Sequence, residues 1–143
     1  METEQVKNYM TPQEFFKNDR FATNAGIELL EVKPGYSKAQ LIITDAHLNA
    51  GGRTQGGALF TLADLALAAA ANSHGTFAVS LSSNITFLRG SGVGDTLYAE
   101  ARERYIGRST GCYQVDITNQ HGELIATFES SVFRKDNPLP FTV

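Results

Sequence analysis

Asp64 is the one carboxylate in a long apolar run, and it is the first residue of this chain that could do chemistry. From Ala58 to Ala71 the only polar side chains are Thr61 and Asp64. Carboxylates are rarely buried without a partner. Burial would raise the pKa of this one towards the range that suits a general base. A hydrogen bond from a nearby hydroxyl, such as that of Thr61, would instead make Asp64 structural, and the residue alone leaves both interpretations open.

Gly56 and Gly57 stand where the apolar run begins. The first backbone N–H groups of a helix have no acceptor within the helix, and the helix dipole makes that end electropositive. Glycine also lets a ligand approach the backbone closely. This geometry would suit an oxyanion hole, although an ordinary turn into a helix uses the same residues. Asn49, seven residues before Gly56, is by default a turn residue whose carboxamide could also position a water molecule or a carbonyl group.

The elements that must position these residues predict one α+β domain. Residues 57–72 are rich in Ala and Leu and predict a helix that is buried on most sides. The segments "IELLEVK" and "YSKAQLIIT" predict two strands before it, and alternating patterns such as that of Tyr113 to Thr118 predict further strands after it. We therefore predict an antiparallel sheet of five or six strands, curved around one long central helix.

The domain boundaries follow from the same patterns. We predict a single domain over residues 1–143, with a short N-terminal helix over about 11–19, the central helix over about 57–72 and a loose C-terminal tail over about 136–143. The first five residues are polar and acidic, which gives no sign of a signal peptide. The longest apolar run has about 14 residues, fewer than the roughly 20 that span a bilayer.

Composition excludes several classes of function. A net charge of −3 argues against general nucleic-acid binding. The single cysteine, Cys112, allows no internal disulfide, is expected to be a packed thiol, and fits a reducing cytoplasm. Three scattered histidines and no paired cysteine make a structural metal site improbable. We expect a cytoplasmic protein with no metal, no membrane partner and no nucleic-acid partner.

The order of these residues resembles the signature of the hotdog-fold acyl-CoA thioesterases, of the phenylacetate-pathway type in particular. That signature is His-x-Asn, a short loop, His-Gly-Gly and a helix that carries Leu-Ala-Asp, and the matching stretch here is "HLNAGGRTQGGALFTLADLALAAAANS". The likeness continues through "SSNITFLRGSGVGDTLYAEARERYIGRSTGCYQVDITNQHGELIA" and covers roughly residues 20–135. It implies a sheet wrapped around the long helix, two chains paired into one continuous sheet, and dimers that often pair again.

The resemblance also implies a role for particular residues. Asp64 corresponds to the catalytic carboxylate and Gly56 to the N–H group that polarises the thioester carbonyl. Asn49 corresponds to a residue that helps to hold water or substrate, and Ser80 to a hydroxyl beside the attacking water. Arg108 matches a basic turn position near the coenzyme A phosphates. The expected substrate-binding residues are Gly57, Asn84, Arg89, Arg108 and Ser109.

Gln55 marks a departure from the family, which has histidine at this position. Glutamine keeps a hydrogen-bond donor but cannot titrate near neutral pH. With Gly56 and Asp64 both present, we expect hydrolysis of an acyl- or aryl-CoA thioester to the free acid and coenzyme A, with no separate cofactor because coenzyme A is part of the substrate. Asp64 would act as general base or as nucleophile, and Gln55 is counted with the catalytic residues.

Two other functions stay open. Gln55 is compatible with a hotdog protein that binds acyl-CoA without hydrolysing it, as a sensor or chaperone. A hydratase or dehydratase of the same fold would use a histidine with a carboxylate, and the predicted central helix contains no histidine.

The spacing of Gly56 and Asp64 predicts how the chains assemble. Eight residues on one helix separate them by about 12 Å along its axis, whereas reacting atoms must come within roughly 3–3.5 Å. We therefore predict a homodimer with two shared sites, each with Asn49 and Gly56 from one chain and Asp64 from the other.

Overall fold

The computed structural model describes residues 10–143, so the start of the predicted domain and the segment used to argue against a signal peptide lie outside the described residues. The helices are α1 (Pro12–Phe16), α2 (Arg20–Asn24) and α3 (Gly56–Ala71), and the strands are β1 (Glu28–Lys33), β2 (Tyr36–Ile42), β3 (Thr76–Phe87), β4 (Thr96–Ile106), β5 (Thr110–Thr118) and β6 (Leu124–Pro138). All six strands form one antiparallel sheet in the order β1-β2-β4-β5-β6-β3. Helix α3 packs against every strand. The predicted α+β hotdog architecture is confirmed.

Helix α3 is buried on most sides because its core-facing side chains are Leu or Ala. Small alanines let the helix axis approach the sheet closely, and the larger leucines fill the spaces between strands. The buried residues of α3 are Leu59, Leu62, Ala63, Leu65, Ala66, Leu67, Ala69, Ala70 and Ala71. One stripe stays uncovered by the sheet: Gly57, Thr61, Asp64 and Ala68 follow one another at helical spacing and are at least partly exposed. Asp64 therefore points away from the core of its own chain.

The N-terminal helix expected over residues 11–19 is present but shorter, over Pro12–Phe16, and a second short helix, Arg20–Asn24, follows it. Thr11 caps α1 and forms a capping box with Glu14. The side chain of Asp19 then accepts a hydrogen bond from the backbone N–H of Ala22, at 3.1 Å, and so caps a second helix. Asp19 is therefore the last residue of the predicted segment and the N-cap of the helix that follows it.

The C-terminal tail is packed, so the expectation that it is loose was wrong. Strand β6 continues to Pro138, and Phe141 is only 1% exposed. The ring of Phe141 contacts those of Phe15 and Phe16, at centroid distances of 5.2 and 6.1 Å. These aromatic contacts supply the apolar partner that the tail sequence alone does not show.

Cys112 was also misjudged. Its neighbour Tyr113 faces α3 and is 2% exposed, so the alternation of β5 turns Cys112 outwards, where it is exposed.

In the described part of the chain, no helix is both long enough and apolar enough to cross a membrane.

Replacing Phe141 by alanine tests the packing of the tail. Deleting a buried phenylalanine side chain usually costs about 3–5 kcal/mol, so the free energy of unfolding should fall by about 3 kcal/mol. Urea unfolding measures the change. The control is Val143→Ala, at a side chain that is 45% exposed, where we expect less than about 0.5 kcal/mol. Equal effects of the two substitutions would contradict a packed tail.

Candidate active site

The loop before α3 is closed by Asn49. Its side-chain oxygen Oδ1 accepts hydrogen bonds from the backbone N–H groups of Gly51 and Arg53, at 2.9 and 3.1 Å. Gly52 completes the tight turn with a φ of +79°, which glycine adopts without strain. Because both partners of the side chain are donors, the oxygen must face them, and the Nδ2 amide group is left with no acceptor among residues 10–143. Asn49 is therefore a turn residue that also presents a free donor.

The first turn of α3 leaves one backbone N–H group free. The side chain of Gln55 caps the helix, with its Oε1 accepting from the N–H of Gly57 at 2.5 Å. The N–H groups of Ala58 and Leu59 both donate to the backbone carbonyl of Gln55. Gly56 alone of the four lacks an acceptor in the described chain. A free N–H group at the positive end of a sixteen-residue helix can donate a hydrogen bond to an oxyanion.

Residue 56 has no room for a side chain, because the ring of Phe87 packs against Gly56. A Cβ atom on Gly56 would lie 2.9 Å from the Cζ atom of Phe87. The loops on both sides are tied together by a buried hydrogen bond from the Ser91 hydroxyl to the Thr54 hydroxyl, at 2.7 Å. Two cavities adjoin the start of α3. Gly56 lines the first of them, the Arg89 cavity, which has a volume of about 420 Å³. It is lined by Asn49, Thr54, Gly56, Leu59, Phe87, Leu88, Arg89, Gly90 and Ser91.

A second cavity lies on the other side of the helix start. This Phe60 cavity has a volume of about 590 Å³ and is lined by Phe21, Ala25, Ala46, His47, Leu48, Gln55, Gly57, Ala58, Phe60 and Thr61. Most of these side chains are apolar. The beginning of α3 therefore separates a cavity with Arg89 on its rim, where the guanidinium pairs with the carboxylate of Glu123 at 2.9 Å, from one with mostly apolar walls.

Asp64 lies two turns further along α3 and is half-buried. No group among residues 10–143 donates a hydrogen bond to its carboxylate. The hydroxyl of Thr61 donates instead to the Gly57 carbonyl at 2.7 Å, so the structural interpretation of Asp64 that rested on Thr61 fails. Burial raises the pKa of Asp64, and the nearby charge of Asp19 raises it further. An unpaired carboxylate with a raised pKa is suited to accept a proton.

The other predicted residues lie along β3 and beyond it. Phe87, beside Gly56, ends the strand, and Ser80 lies seven residues earlier, about 23 Å away at strand spacing. The hairpin with Arg108 and Ser109 is further still. The carbonyl of Ser109 accepts from the N–H of Arg134, whose strand partner Ala78 is about 30 Å along β3 from Phe87.

Asn84 belongs to neither cavity. It pairs with Glu129, while its neighbour Ile85 pairs with the buried Phe128. Side chains alternate along a strand, so Asn84 faces the outer surface of the sheet, where it lines a separate depression with Arg104 and Cys112.

One chain therefore brings together only part of the predicted site. Residues Asn49, Gln55, Gly56, Gly57 and Arg89 surround the start of α3. Four other predicted residues lie at increasing distances from the start of α3: Asp64, Ser80, Arg108 and Ser109. Sequence reasoning missed Phe87 and Phe21, because each joins the site from an element that is remote in the chain. It also missed Phe60, which lies on α3 itself, four residues after Gly56.

This fold and this site define a hotdog thioester hydrolase. The model of the thioesterase superfamily matches residues 51–126, from the loop before α3 to the beginning of β6. The chain belongs to the thioesterase superfamily, and the predicted resemblance to its phenylacetate-pathway members is confirmed by the relatives that follow.

The acyl-coenzyme A thioesterase PaaI of Escherichia coli is 36% identical over 128 residues, which are 90% of this chain and 91% of that protein. The structure of E. coli PaaI, from the phenylacetic acid degradation operon, matches with a TM-score of 0.86 over 93% of this chain and 96% of its own, at 34% identity. A protein of Archaeoglobus fulgidus is 37% identical over 97% of this chain and 87% of its own length. A hypothetical thioesterase protein of Streptococcus pneumoniae, solved with coenzyme A, matches with a TM-score of 0.80 at 28% identity, over 86% of this chain and 98% of its own.

Replacing Asp64 by asparagine should stabilise the protein at neutral pH. The folded pKa of Asp64 is raised above its ordinary value of 3.8, so folding opposes ionisation. This penalty is absent below pH 3.8, where both states are protonated, grows as the pH rises through the raised folded pKa, and is fully present above it. Asparagine removes it.

Urea unfolding at pH 7 and just below pH 3.8 measures the difference. We expect Asp64→Asn to be more stable than wild type at the higher pH, with the gain vanishing at the lower one. Asp136→Asn removes the same charge at an exposed position and is the control. A variant that loses stability at neutral pH would contradict the unpaired state of Asp64.

Proposed function

We propose that the chain hydrolyses acyl-CoA thioesters to a free acid and coenzyme A, at sites that two copies of the chain share. The observation that carries this is the unpaired N–H of Gly56 at the start of α3, together with the unpaired carboxylate of Asp64 on the uncovered stripe of the same helix. The E. coli relative is named as an acyl-coenzyme A thioesterase, and the S. pneumoniae thioesterase was solved with coenzyme A. Both support an acyl-CoA substrate here.

The thioester carbonyl would lie in the Arg89 cavity. A carbonyl oxygen has two lone pairs, and the free N–H of Gly56 and the free Nδ2 of Asn49 are two donors that line this cavity. Negative charge develops on that oxygen when the carbon is attacked. Donors fixed in place beforehand, at the positive end of a helix dipole, stabilise the charge without reorganising. Arg89, on the rim, is placed to attract the anionic coenzyme A portion.

Asp64 would supply the attack. As a general base it takes a proton from water while the hydroxide oxygen bonds to the thioester carbon. The tetrahedral intermediate then expels the thiolate, which recovers the proton. As a nucleophile the carboxylate displaces the thiolate itself and forms an anhydride, which water then hydrolyses. Its lack of hydrogen-bond donors and its raised pKa favour either route over a structural role.

Two copies are needed to complete the site. Within one chain, Asp64 lies about 12 Å along the helix axis from Gly56, beyond the reach of one thioester carbon. A second, antiparallel α3 that faces the uncovered stripe across a two-fold axis, with the Phe60 cavity between the two helices, would bring the partner subunit's Asp64 to Gly56. The twelve-residue β3 is an edge strand whose second side is unpaired in the described chain. Unpaired edges of this length favour strand pairing.

Antiparallel pairing of two β3 strands would also move the remote residues towards the site. Ser80 and the hairpin of Arg108 lie near the beginning of β3, while Gly56 lies near its end. The two ends meet when antiparallel copies pair. The partner subunit's Ser80 and the partner subunit's Arg108 would then approach the Arg89 cavity.

Spacing supports the pairing of Asp64 with Ser80. In the S. pneumoniae thioesterase, an aspartate and a threonine sixteen positions apart were each replaced by alanine for structure determination. Asp64 and Ser80 are also sixteen positions apart, and serine carries the same hydroxyl group as threonine. We propose that the two residues hold the attacking water together.

Replacing Asp64 by asparagine should abolish most hydrolysis. The amide keeps the shape of the carboxylate but can neither take a proton nor attack carbon, so thiol release from acyl-CoA should fall by at least about a hundredfold. Asp136→Asn should release thiol at the wild-type rate. Undiminished turnover in Asp64→Asn would overturn the mechanism. A wild type that binds acyl-CoAs but releases thiol from none would establish the binding protein as the correct alternative.

Mixing two inactive variants tests the shared site. Asp64→Asn and Asn49→Ala are unfolded together in equal amounts and refolded. In a mixed dimer one site carries both lesions and the other carries neither. Half of the dimers are mixed, so about a quarter of wild-type activity should return. Each variant refolded alone is the control. No recovery, with mixed dimers shown to be present, would mean that every catalytic group comes from one chain.

A further inference from the structure

The Phe60 cavity adjoins the proposed thioester site, and two of its polar side chains retain unused hydrogen-bonding capacity. We propose that it holds an acyl group with a hydroxyl on the second or third carbon, recognised by Gln55 and Thr61. This inference rests on the proposed function, since it names the substrate class of that site. The third polar side chain, His47, is fully engaged: it accepts from the N–H of Thr44 and bonds to the carbonyl of Ala25.

Gln55 presents a donor to this cavity. Its Oε1 must face the N–H of Gly57, since only an oxygen can accept that hydrogen bond. The Nε2 group then points away from the helix end and has no acceptor in residues 10–143. The contact is close enough to dictate the neighbouring residue, because a Cβ on Gly57 would lie 2.6 Å from Oε1. The orientation of the amide is therefore fixed by the backbone.

Thr61 presents an acceptor to the same cavity. Its hydroxyl hydrogen is used in the bond to the carbonyl of Gly57, which leaves the lone pairs of Oγ1 available. Gln55 and Thr61 are thus anchored on the N–H and the carbonyl of one residue, and both line the Phe60 cavity. A donor and an acceptor on one wall match a hydroxyl group, which can accept from one and donate to the other.

The donor of Gln55 is not required by the thioester carbonyl. That oxygen has two lone pairs, and Gly56 and Asn49 face it from the Arg89 cavity. Gln55 lines the other cavity, so its donor is directed at the arm of the substrate that enters there. The apolar walls, which include Phe21 and Phe60, suit the acyl arm better than the polar arm of coenzyme A.

Adjacency limits where the hydroxyl can be. Gln55 and Gly56 are consecutive residues, so an oxygen that reaches Nε2 lies only a few bonds from a carbonyl held at Gly56. The second and third acyl carbons meet this limit. A hydroxyl at the far end of a long chain would lie beyond both side chains.

The test compares kcat/KM for butyryl-CoA, 2-hydroxybutyryl-CoA, 3-hydroxybutyryl-CoA and the keto analogue acetoacetyl-CoA. We expect wild type to favour the better hydroxylated substrate over butyryl-CoA by about tenfold, the scale of one hydrogen bond. Gln55→Glu is the matched variant, because it keeps an oxygen for the N–H of Gly57 and removes the donor. Its preference for acetoacetyl-CoA over butyryl-CoA should fall to about one, because a keto oxygen only accepts and the carboxylate has no hydrogen to donate. Thr61→Val should lose the preference for hydroxyl over keto while retaining that for keto over butyryl.

Thermal unfolding checks that both variants are folded. We expect Gln55→Glu to fold, because a negative charge at the start of a helix is stabilising. Equal kcat/KM values for all four substrates in wild type would overturn the inference while hydrolysis itself stands. So would an unchanged preference of Gln55→Glu for acetoacetyl-CoA over butyryl-CoA. If no thioester is hydrolysed, the proposed function fails separately. The intact thioesters then serve as ligands in calorimetry. There an unchanged ratio of the Kd values of butyryl-CoA and acetoacetyl-CoA in Gln55→Glu overturns the inference, and a ratio reduced to about one supports it.

Discussion

The site depends on how the unpaired N–H groups at the start of α3 are shared out. Four such groups are left over by every helix. Here the N–H of Gln55 donates to the carbonyl of His47, that of Ala58 to the carbonyl of Gln55 and that of Gly57 to the side chain of Gln55. Among residues 10–143, nothing accepts from the N–H of Gly56. Because Gln55 itself caps Gly57, no residue of another element has to bond to the first turn of α3. The free donor therefore stays open to the Arg89 cavity.

Stability and function conflict at Asp64. Burial without a hydrogen-bond donor opposes its ionisation, which is unfavourable for folding at neutral pH. The rest of α3 offsets this, since nine of its residues are buried Leu or Ala that pack against the sheet. An apolar helix can carry one unsatisfied carboxylate, and the same apolar surroundings raise the basicity of that carboxylate.

Much of the fold could be predicted from local sequence, because alternation gives strands and the Ala-Leu run gives the helix. The bounds of α3 differ from the prediction by one residue at each end. The prediction of the tail failed because the rings that bury Phe141 are distant in the chain. The second helix was missed for a different reason: Asp19 caps it through the N–H of Ala22, three residues on, and this local signal was not used. At the site, Gly56 and Asn49 were predicted together, whereas the covering ring of Phe87 was not. Nothing in local sequence reports which strand end lies over a glycine.

The contact between Gln55 and Gly57 makes the residue permitted at position 57 depend on the residue at position 55. A side chain at residue 57 is excluded only while the amide oxygen of residue 55 occupies that space, 2.6 Å from the Cβ position. Substitutions at the two positions will therefore be epistatic. Alanine at residue 57 should be tolerated better once residue 55 has been shortened, and relatives with a different residue at 55 face a different set of permitted neighbours. The two positions are therefore coupled physically, even though only residue 55 bears a functional group.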